Sequence, residues 1–286
     1  MAVATDLDRD YSDPQPAAKV NRAGPLAWKA WNATWPKLLA IAIVIGGWQL
    51  AVYSHHWKEY LVPSPFTVLD QLFHEPGKML TATLVTLRRG LQGFLIAMII
   101  GTVVGIAVAR VKILRAAIGS MITGLQTMPS VAWVPLAIIL FKEGPSTVTF
   151  VVVIGAAPSI ANGIISGVDH VPPILLRAGR VLGARGMGAM RHVVIPAALP
   201  AVFGGLKQGW AFAWRSLMAA ELIGGLTGKI GIGQLLNASA NLNDYTGVFE
   251  AMIVILIIGI LIDALVFGTL DRAIRRRYGL IDAASS

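Results

Sequence analysis

A basic, glycine-broken segment separates two long apolar runs of this chain: RAGRVLGARGMGAMRHVVIP, residues 177–196. The flanking runs, residues 147–168 and 199–223, each approach or exceed the roughly 20 helical residues that cross a bilayer core. Backbone groups find no water in that core, so crossing segments are helices or closed barrels, and these runs are too long for barrel strands. The sequence therefore predicts an all-α polytopic membrane protein with a basic loop at this point.

Composition supports a bilayer setting for the whole chain of 286 residues. Hydrophobic residues make up 55% of it and charged residues 14%, with a mean hydropathy of +0.67, which is too apolar for a soluble domain. The absence of cysteine excludes disulfides, thiolate catalysis and cysteine-ligated metals. The net charge of +9 comes from basic residues spread through the loops, as topology signals are, so we predict no nucleic-acid binding.

Six apolar segments give six predicted transmembrane helices: residues 38–53, 90–109, 116–141, 147–168, 199–223 and 247–270. They lie in a predicted membrane domain of residues 36–275. Residues 1–35 are polar, cannot bury enough apolar surface to fold alone, and are predicted to form a disordered tail. Residues 276–286 are predicted to form a second tail. The first span lacks the features of a cleaved signal peptide, so we expect it to be retained.

The distribution of lysine and arginine predicts that both termini are cytoplasmic. Sixteen of these residues fall in one set of alternate loops and tails, and six fall in the other set. The basic-rich set comprises residues 1–37, 110–115, 169–192 and 271–286. Arg88 and Arg89 are exceptions on the outer side, and we interpret them as snorkelling at the outer interface.

Prolines and small residues predict the local shape and packing of the spans. Pro129, Pro135 and Pro158 are each expected to kink a helix. Residues 66–73 favour a short amphipathic helix on the outer face, or a packed loop. Three spans carry small residues every four positions, which predicts close helix packing within one chain or, alternatively, a dimer seam. They are Gly93, Ala97, Gly101, Gly105 and Ala109; Gly155, Ser159, Gly163 and Gly167; Gly205, Gly209 and Ala213.

The loop of residues 169–196 is predicted to contain two short helices. Asp169 is a candidate N-cap, with Pro172 and Pro173 in the first turn. Gly183 is placed to end the first helix in a left-handed conformation. An apolar stripe opposes Arg177 and Arg180, and such a helix could lie on anionic lipid. Its members are Ile174, Leu175, Ala178, Val181 and Leu182.

The spacing within this loop resembles the EAA loop of ABC import permeases. That pattern is EAA, three residues, G, nine residues, I, one residue, LP; here it is matched by Arg177, Ala178, Gly179, Gly183, Val193, Ile195 and Pro196. Arg177 stands where the family favours Glu, and Gly179 where it favours Ala. The resemblance implies that the loop is a coupling helix seated in a groove of a separate ATP-hydrolysing subunit.

Other segments resemble the nitrate, sulfonate and taurine branch of these permeases, and the resemblance covers about residues 45–275. They are VPSP at residues 62–65, LRRGLQGF at 87–94 and AWRSLMAAELI at 213–223. The family implies a pore made by two copies of the permease, two ATP-binding subunits inside, and an extracytoplasmic solute-binding protein. It also implies a cell-membrane location.

The sequence carries no catalytic or phosphate-binding signature of its own. Residues 224–230 come nearest to a phosphate loop but lack its first glycine and the Ser or Thr after the lysine. The five histidines show no metal-ligand spacing. We therefore predict no enzyme activity and no cofactor bound by this chain, with ATP used by the partner.

Arg215 and Glu221 are charges in the fifth apolar run and are expected to face protein or water. Six residues of helix set them about 240° apart, so they are not expected to pair with each other. Our hypothesis is that Arg215 attracts an anion on the pathway while Glu221 braces the outer end of the helix. Alternatively, each forms an ion pair with a neighbouring helix.

Four further polar residues within the spans stay open in role. Gln126 and Asn162 could line a path, and we favour an interhelical hydrogen bond for each. Asp263 and Glu250 are equally ambiguous, with Glu250 expected near the outer surface.

The sequence predicts the permease subunit of an ATP-driven importer for a small anion of the sulfonate, nitrate or taurine type. A secondary transporter or channel driven by an ion gradient is the alternative, although that class ordinarily shows inverted repeats and carboxylates grouped in mid-membrane. A membrane enzyme would need an acid–base or metal cluster that the sequence does not show.

Overall fold

The computed structural model describes residues 26–54, 58, 60–224 and 228–278, and every regular element within them is helical. The all-α prediction is therefore confirmed for the described part of the chain. The helices are α1 (Leu26–Tyr53), α2 (Pro65–His74), α3 (Pro76–Arg110), α4 (Lys112–Thr127), α5 (Val134–Phe141), α6 (Pro145–Asp169), α7 (Pro173–Val181), α8 (Gly186–Ala189), α9 (Ile195–Ile223), α10 (Ile232–Asn241), α11 (Tyr245–Ile262) and α12 (Gly268–Arg277).

Five helical runs of the described chain are long and apolar enough to cross a membrane, or six if one bent pair counts as a span. The bent pair is the predicted third span, which was expected to be one kinked helix. Instead, Lys112–Thr127 and Ser130–Phe141 meet at 105°. Pro129 lies in this break, and Pro135 lies in the first turn of α5, where a proline does not kink a helix. Pro158 lies inside α6 as predicted.

The boundary of the predicted N-terminal tail needs correction. Helix α1 begins at Leu26, so residues 26–35 are helical although they were placed in the tail. Residues 1–25 lie outside the described residues. At the other end, α12 continues to Arg277, and residues 279–286 of the predicted C-terminal tail also lie outside them.

The second span is longer at its start than the apolar pattern indicated. Helix α3 runs for 35 residues from Pro76, which takes the first helical position, so it includes residues predicted to form a loop. The short helix expected before it is present as α2. The hydroxyl of Ser64 caps α2 by accepting a hydrogen bond from the backbone N–H of Thr67 at 3.2 Å.

Helices α3, α6 and α9 form the core of the bundle, and their glycines set how closely they pack. A Cβ atom added at Gly93 would lie 2.6 Å from Cγ1 of Val152, and one at Gly163 would lie 2.5 Å from Cα of Gly205. The ridges of α6 and α9 therefore meet each other, and the ridge of α3 packs on other residues of α6, so this close packing occurs within a single chain, as the first of the two alternatives expected. Close backbone approach increases the dispersion contacts that stabilise helices in lipid.

Two ion pairs show which helix ends lie together. Arg115 at the start of α4 donates to Asp169 at the end of α6 at 2.8 Å, and Arg89 in α3 pairs with Glu221 in α9 at 2.8 Å. We call the end of the bundle that carries residues 169–196 the loop end, and the opposite end the far end. This pairing agrees with the predicted alternation of loops, while the assignment of the loop end to the cytoplasm stays a prediction.

Candidate functional site

The loop of residues 169–196 starts differently from its sequence-based prediction. Asp169 does not cap a helix of the loop, because it is the last residue of α6 and accepts the hydrogen bond from Arg115. Pro172 occupies the N-cap position of α7, and Pro173 is its first residue. A proline suits that position because its missing N–H would have no helical partner there.

Gly183 ends α7 in a left-handed conformation, as predicted. Its φ angle is +83°, a region that glycine adopts without steric cost. The backbone N–H of Ala184 donates to the carbonyl of Gly179 at 2.8 Å, and that of Gly183 to the carbonyl of Arg180 at 3.1 Å. These two bonds define a Schellman motif, which fixes the direction in which the chain leaves α7.

Gly179 and Val193, two residues of the predicted motif, are in contact across the loop. Gly179 is buried, and a Cβ atom added there would lie only 2.8 Å from Cγ2 of Val193. The absence of a side chain at position 179 therefore lets α7 fold back against the segment that leads into α9. Gly179 stands where the family pattern favours alanine, and the close approach of Val193 is the steric reason for glycine at this position.

The apolar stripe of α7 points away from the rest of the described chain. The exposed fraction is 71% for Ile174, 87% for Val181 and 86% for Leu182, and Met187 after the turn is 76% exposed. Arg177 and Ala178 are exposed beside them. Exposed apolar side chains grouped on a short loop are typical of a surface that is covered by another molecule.

The second short helix of the loop is continuous with the fifth span. Residues of α8 lead through a π turn, Met190–Val194, directly into α9, where Ile195 is the first residue and Pro196 the second. The N–H of Ile195 donates to the carbonyl of Met190, five residues back. The sequence placed Pro196 correctly at the start of the span but did not indicate the uninterrupted helix before it.

Arg215 is an exposed cation in the second half of α9, about two turns before the helix ends at Ile223. Its Nε donates to the carbonyl of Ala211 at 3.2 Å, and its guanidinium carbon lies 4.6 Å from the ring centre of Phe212. Among the described residues no carboxylate lies within 4.0 Å of it. The alternative of an intrachain ion pair is therefore not seen for this residue, and its charge remains available at the surface of the helix.

Glu221, by contrast, is 1% exposed and has both carboxylate oxygens bonded. Oε1 accepts from Nη1 of Arg89 at 2.8 Å, and Oε2 accepts from the hydroxyl of Thr86 at 2.8 Å and the N–H of Gly233 at 3.0 Å. The ion pair with α3 is the arrangement that the alternative for Glu221 expected, and it also braces the end of α9. It does not place the carboxylate on a surface of the isolated chain.

Arg89 corrects one interpretation made from the sequence. It was assigned to snorkelling at the interface, but its side chain turns inward and is only 12% exposed. Besides Glu221 it donates to the side-chain oxygen of Gln234 at 3.1 Å and to the carbonyl of Lys229 at 2.7 Å. Arg89 and Glu221 thus tie α3 and the end of α9 to the start of α10. The sequence signal for this role was the position of Glu221 inside a long apolar run.

The bonds expected for Gln126 and Asn162 are absent from the described part of the structure. The amide nitrogen of Gln126 is buried without a hydrogen-bond partner among the described residues. Asn162 is exposed on α6, and its side chain makes no hydrogen bond to another described residue. Asp263 has a partner, since Lys207 lies 3.0 Å from its carboxylate with both side chains about half exposed.

Glu250 is in the second turn of α11, at the far end of the bundle, and is 7% exposed. It lines a small polar cavity together with Gln71, Glu75, Lys78 and Ser239. Its expected position near the outer surface stays a prediction. The described residues contain no group of three acidic or histidine side chains that could hold a metal. Residues 225–227 of the nearest approach to a phosphate loop, and the two histidines at positions 55 and 56, lie outside the described residues.

Residues 93–277 match the family described as the inner membrane component of binding-protein-dependent transport systems. The chain belongs to this family. The match includes the loop of residues 169–196 and the core helices α6 and α9, so the resemblance to ABC import permeases is confirmed.

Relatives of this permease have different stated cargoes. It is 33% identical to a bicarbonate transport permease of Synechococcus elongatus over 76% of this chain and 76% of that protein. It is 27% identical to a nitrate import permease of Leptolyngbya laminosa over 91% of this chain and 95% of that protein. It is also 28% identical to a riboflavin transport permease of Chloroflexus aurantiacus over 92% of this chain and 98% of that protein. The first two agree with the branch indicated by the sequence.

The fold of the permease is that of known ABC importers. The crystal structure of an amino acid ABC transporter with histidines aligns with a TM-score of 0.58 over 73% of this chain and 98% of that one. The sequence identity in this alignment is 19%, so the likeness concerns the fold alone. The predicted permease fold is therefore confirmed.

Proposed function

We propose that this permease forms, with a second copy of itself, a pathway that imports a small anion at the expense of ATP hydrolysed by two separate subunits. Both termini and the loop end lie on the cytoplasmic side of the cell membrane in this proposal. A solute-binding protein delivers the anion at the far end. The chain itself binds no cofactor.

The exposed apolar face of α7 is the observation that carries the proposal. Ile174, Val181 and Leu182 remain 71–87% exposed beside the rest of the described chain, and the Schellman motif at Gly183 ends their helix in a defined geometry. A preformed apolar ridge with basic neighbours fits a groove in a folded partner, because little conformational entropy is lost on docking. In this family that partner is the ATP-binding subunit.

Arg215 supports an anion as the cargo. A guanidinium inside the fifth span, with no carboxylate partner among the described residues, gives a local positive potential, and such charges are placed toward protein or water. Bicarbonate and nitrate are the cargoes named for two relatives. Riboflavin, named for a third, is the contrasting cargo that an assay must include.

The docking part of the proposal is tested by purifying the tagged permease from its native membranes in mild detergent. We expect an ATP-binding subunit to co-purify with the wild type and to be lost from Gly183→Val, whose side chain strains the left-handed backbone. Gly188→Ala is the matched control, since Gly188 lies in the same loop with open space around it. An unchanged yield of the subunit with Gly183→Val, or binding of the loop to anionic vesicles alone, would overturn the docking.

The transport part is tested with the purified complex in proteoliposomes. We expect ATP-dependent uptake of nitrate or bicarbonate that falls at least tenfold in Arg215→Ala and is partly kept in Arg215→Lys, with assembly unchanged. Loss of assembly in Arg215→Ala would favour a bracing role instead. Uptake by the permease alone, driven by a proton gradient, would establish the alternative of a secondary transporter.

A further inference from the structure

Two amide side chains lie exposed in the middle of the core helices. Asn162 is in α6 and Gln208 is in α9, and neither amide makes a hydrogen bond to another residue that the structure describes. An amide transferred to an apolar medium without a hydrogen-bond partner costs several kcal/mol. These positions are therefore expected to face water, another protein chain or a ligand rather than lipid.

The contact between Gly163 and Gly205 turns both amides to the same side. Helices α6 and α9 are antiparallel, and a Cβ atom added at Gly163 would lie 2.5 Å from Cα of Gly205, so the two backbones touch here. In an antiparallel pair, the residues that precede a contact on each helix are rotated to the same side of the pair. Those residues are Asn162 and Gly204, both exposed, and Gln208 lies one turn beyond Gly204 on the same face.

Arg215 lies on this same face of α9. Between Pro200 and Glu221, the exposed residues of α9 follow at intervals of three or four and form one stripe. They are Ala201, Gly204, Gln208, Ala211 and Arg215. Gln208 is seven residues, or about 10 Å, closer to the loop end than Arg215. Along this stripe, toward the loop end, the polar group therefore changes from the cation of Arg215 to the neutral amide of Gln208.

We propose that Asn162 and Gln208 form a neutral amide constriction. Its N–H groups donate hydrogen bonds to the oxygen atoms of a small oxyanion after the anion leaves Arg215. This rests on the pathway proposed above, and it adds the residues that select for hydrogen-bond acceptors. In a two-copy pore each amide occurs twice around the symmetry axis. Amide N–H groups donate to oxyanion oxygens, and their lack of charge lets the anion move on, since conduction needs binding that is not too strong.

Uptake measurements test the chemistry of this constriction. In reconstituted complexes, Gln208→Glu and Asn162→Asp place a negative charge on the anion's route and are expected to lower uptake at least tenfold. Gln92→Glu is the matched control, because Gln92 is an exposed amide of α3. Helix α3 packs on the face of α6 that carries Ile160 and Ile164, about 160–200° around that helix from Asn162. If the wild type imports the oxyanion and Arg215→Ala does not, while both acidic variants match Gln92→Glu, the constriction is overturned and the pathway proposal stands.

Water access tests the placement without any transport assay. The wild-type chain has no cysteine, so Asn162→Cys, Gln208→Cys and Gln92→Cys each carry a single thiol. In the assembled complex a charged, water-soluble thiol reagent is expected to modify positions 162 and 208 at least tenfold faster than position 92. Equal, slow modification at all three positions would show that the amides do not face the pathway.

Discussion

Nη1 of Arg89 lies 2.8 Å from Oε1 of Glu221, and this pair joins the first part of α3 to the last turn of α9. The two residues are 132 positions apart in the sequence. Around them Thr86 donates to the same carboxylate, and Gln234 accepts from the same guanidinium. The cluster therefore fixes three helices at the far end of the bundle through one buried ion pair.

Removing one partner of this pair is expected to destabilise the protein strongly. Glu221→Ala leaves the Arg89 guanidinium poorly compensated, which costs about 3–5 kcal/mol for a buried pair. Thermal unfolding of the detergent-solubilised protein measures the effect, and Glu221→Gln should lose less because it keeps hydrogen bonds to Thr86 and Gly233. Asp271→Ala is the control, since its pair with Arg275 is exposed. Equal midpoints for Glu221→Ala and Asp271→Ala would contradict this prediction.

A side chain at the crossing of α6 and α9 is expected to separate the two helices. Gly205→Val places its Cβ atom 2.5 Å from Cα of Gly163, a backbone atom that cannot move aside. We expect a loss of about 1–3 kcal/mol or more in unfolding free energy, as for overpacked cores. Gly204→Val is the neighbouring control because nothing lies within 4 Å of an added Cβ there. If the two variants unfold at the same temperature, the close contact is wrong.

The contact between Gly179 and Val193 predicts a rescue experiment. Gly179→Ala forces a Cβ atom to within 2.8 Å of the Val193 side chain and should weaken binding of the ATP-binding subunit by shifting α7. Val193→Ala removes the obstructing Cγ2 atom, so the double variant should bind better than Gly179→Ala alone. Affinity of the purified subunits reports the change. Additive losses in the double variant would show that the two residues act independently.

His74, at the end of α2, is predicted to titrate above the ordinary histidine range. Its ring Nδ1–H donates to the backbone carbonyl of Asp70 at 2.9 Å and lies 3.5 Å from the Asp70 carboxylate, and both contacts raise the pKa of the imidazole. Its small stabilising effect is thus present at acidic pH and lost as pH rises through the raised pKa. Nuclear magnetic resonance titration of the imidazole measures the pKa of His74.

The matched comparison for His74 is Asp70→Asn. This change removes the charge but keeps the backbone carbonyl, so the pKa should fall only part of the way back, because the hydrogen bond is the larger cause. A return to the ordinary value would show that the charge alone raises the pKa.

Local sequence patterns predicted most of the fold, because helix length, glycine spacing and turn chemistry are set by neighbouring residues. Gly183 was recognised as a left-handed helix end from its position after an amphipathic run, and the small-residue ridges indicated the α3, α6 and α9 core. The failures concern relations between distant segments. The inward turn of Arg89 depends on Glu221, 132 positions away, and the sequence indicated a kink at Pro129 but not the 105° angle between the two helical segments.

The candidate site was predictable in the loop and less so within the spans. The motif residues 177–196 come together because they are close in the sequence, as the contact between Gly179 and Val193 shows. Asn162 was given an interhelical bond, since an isolated polar residue in a span usually has one. Its exposure follows from the crossing of Gly163 and Gly205, and no local pattern indicates which side of that crossing stays open.

A continuous helical run from Gly186 to Ile223 joins the loop directly to the part of the fifth span that carries Arg215. Its 38 residues extend over about 57 Å, with the π turn and Pro200 as irregularities near the loop end. A tilt of about 5° at that turn would carry Arg215, about 30 Å along the axis, sideways by about 3 Å. In the proposed importer, a nucleotide-driven movement of the loop would therefore be transmitted through this helix to Arg215, the residue proposed to meet the anion.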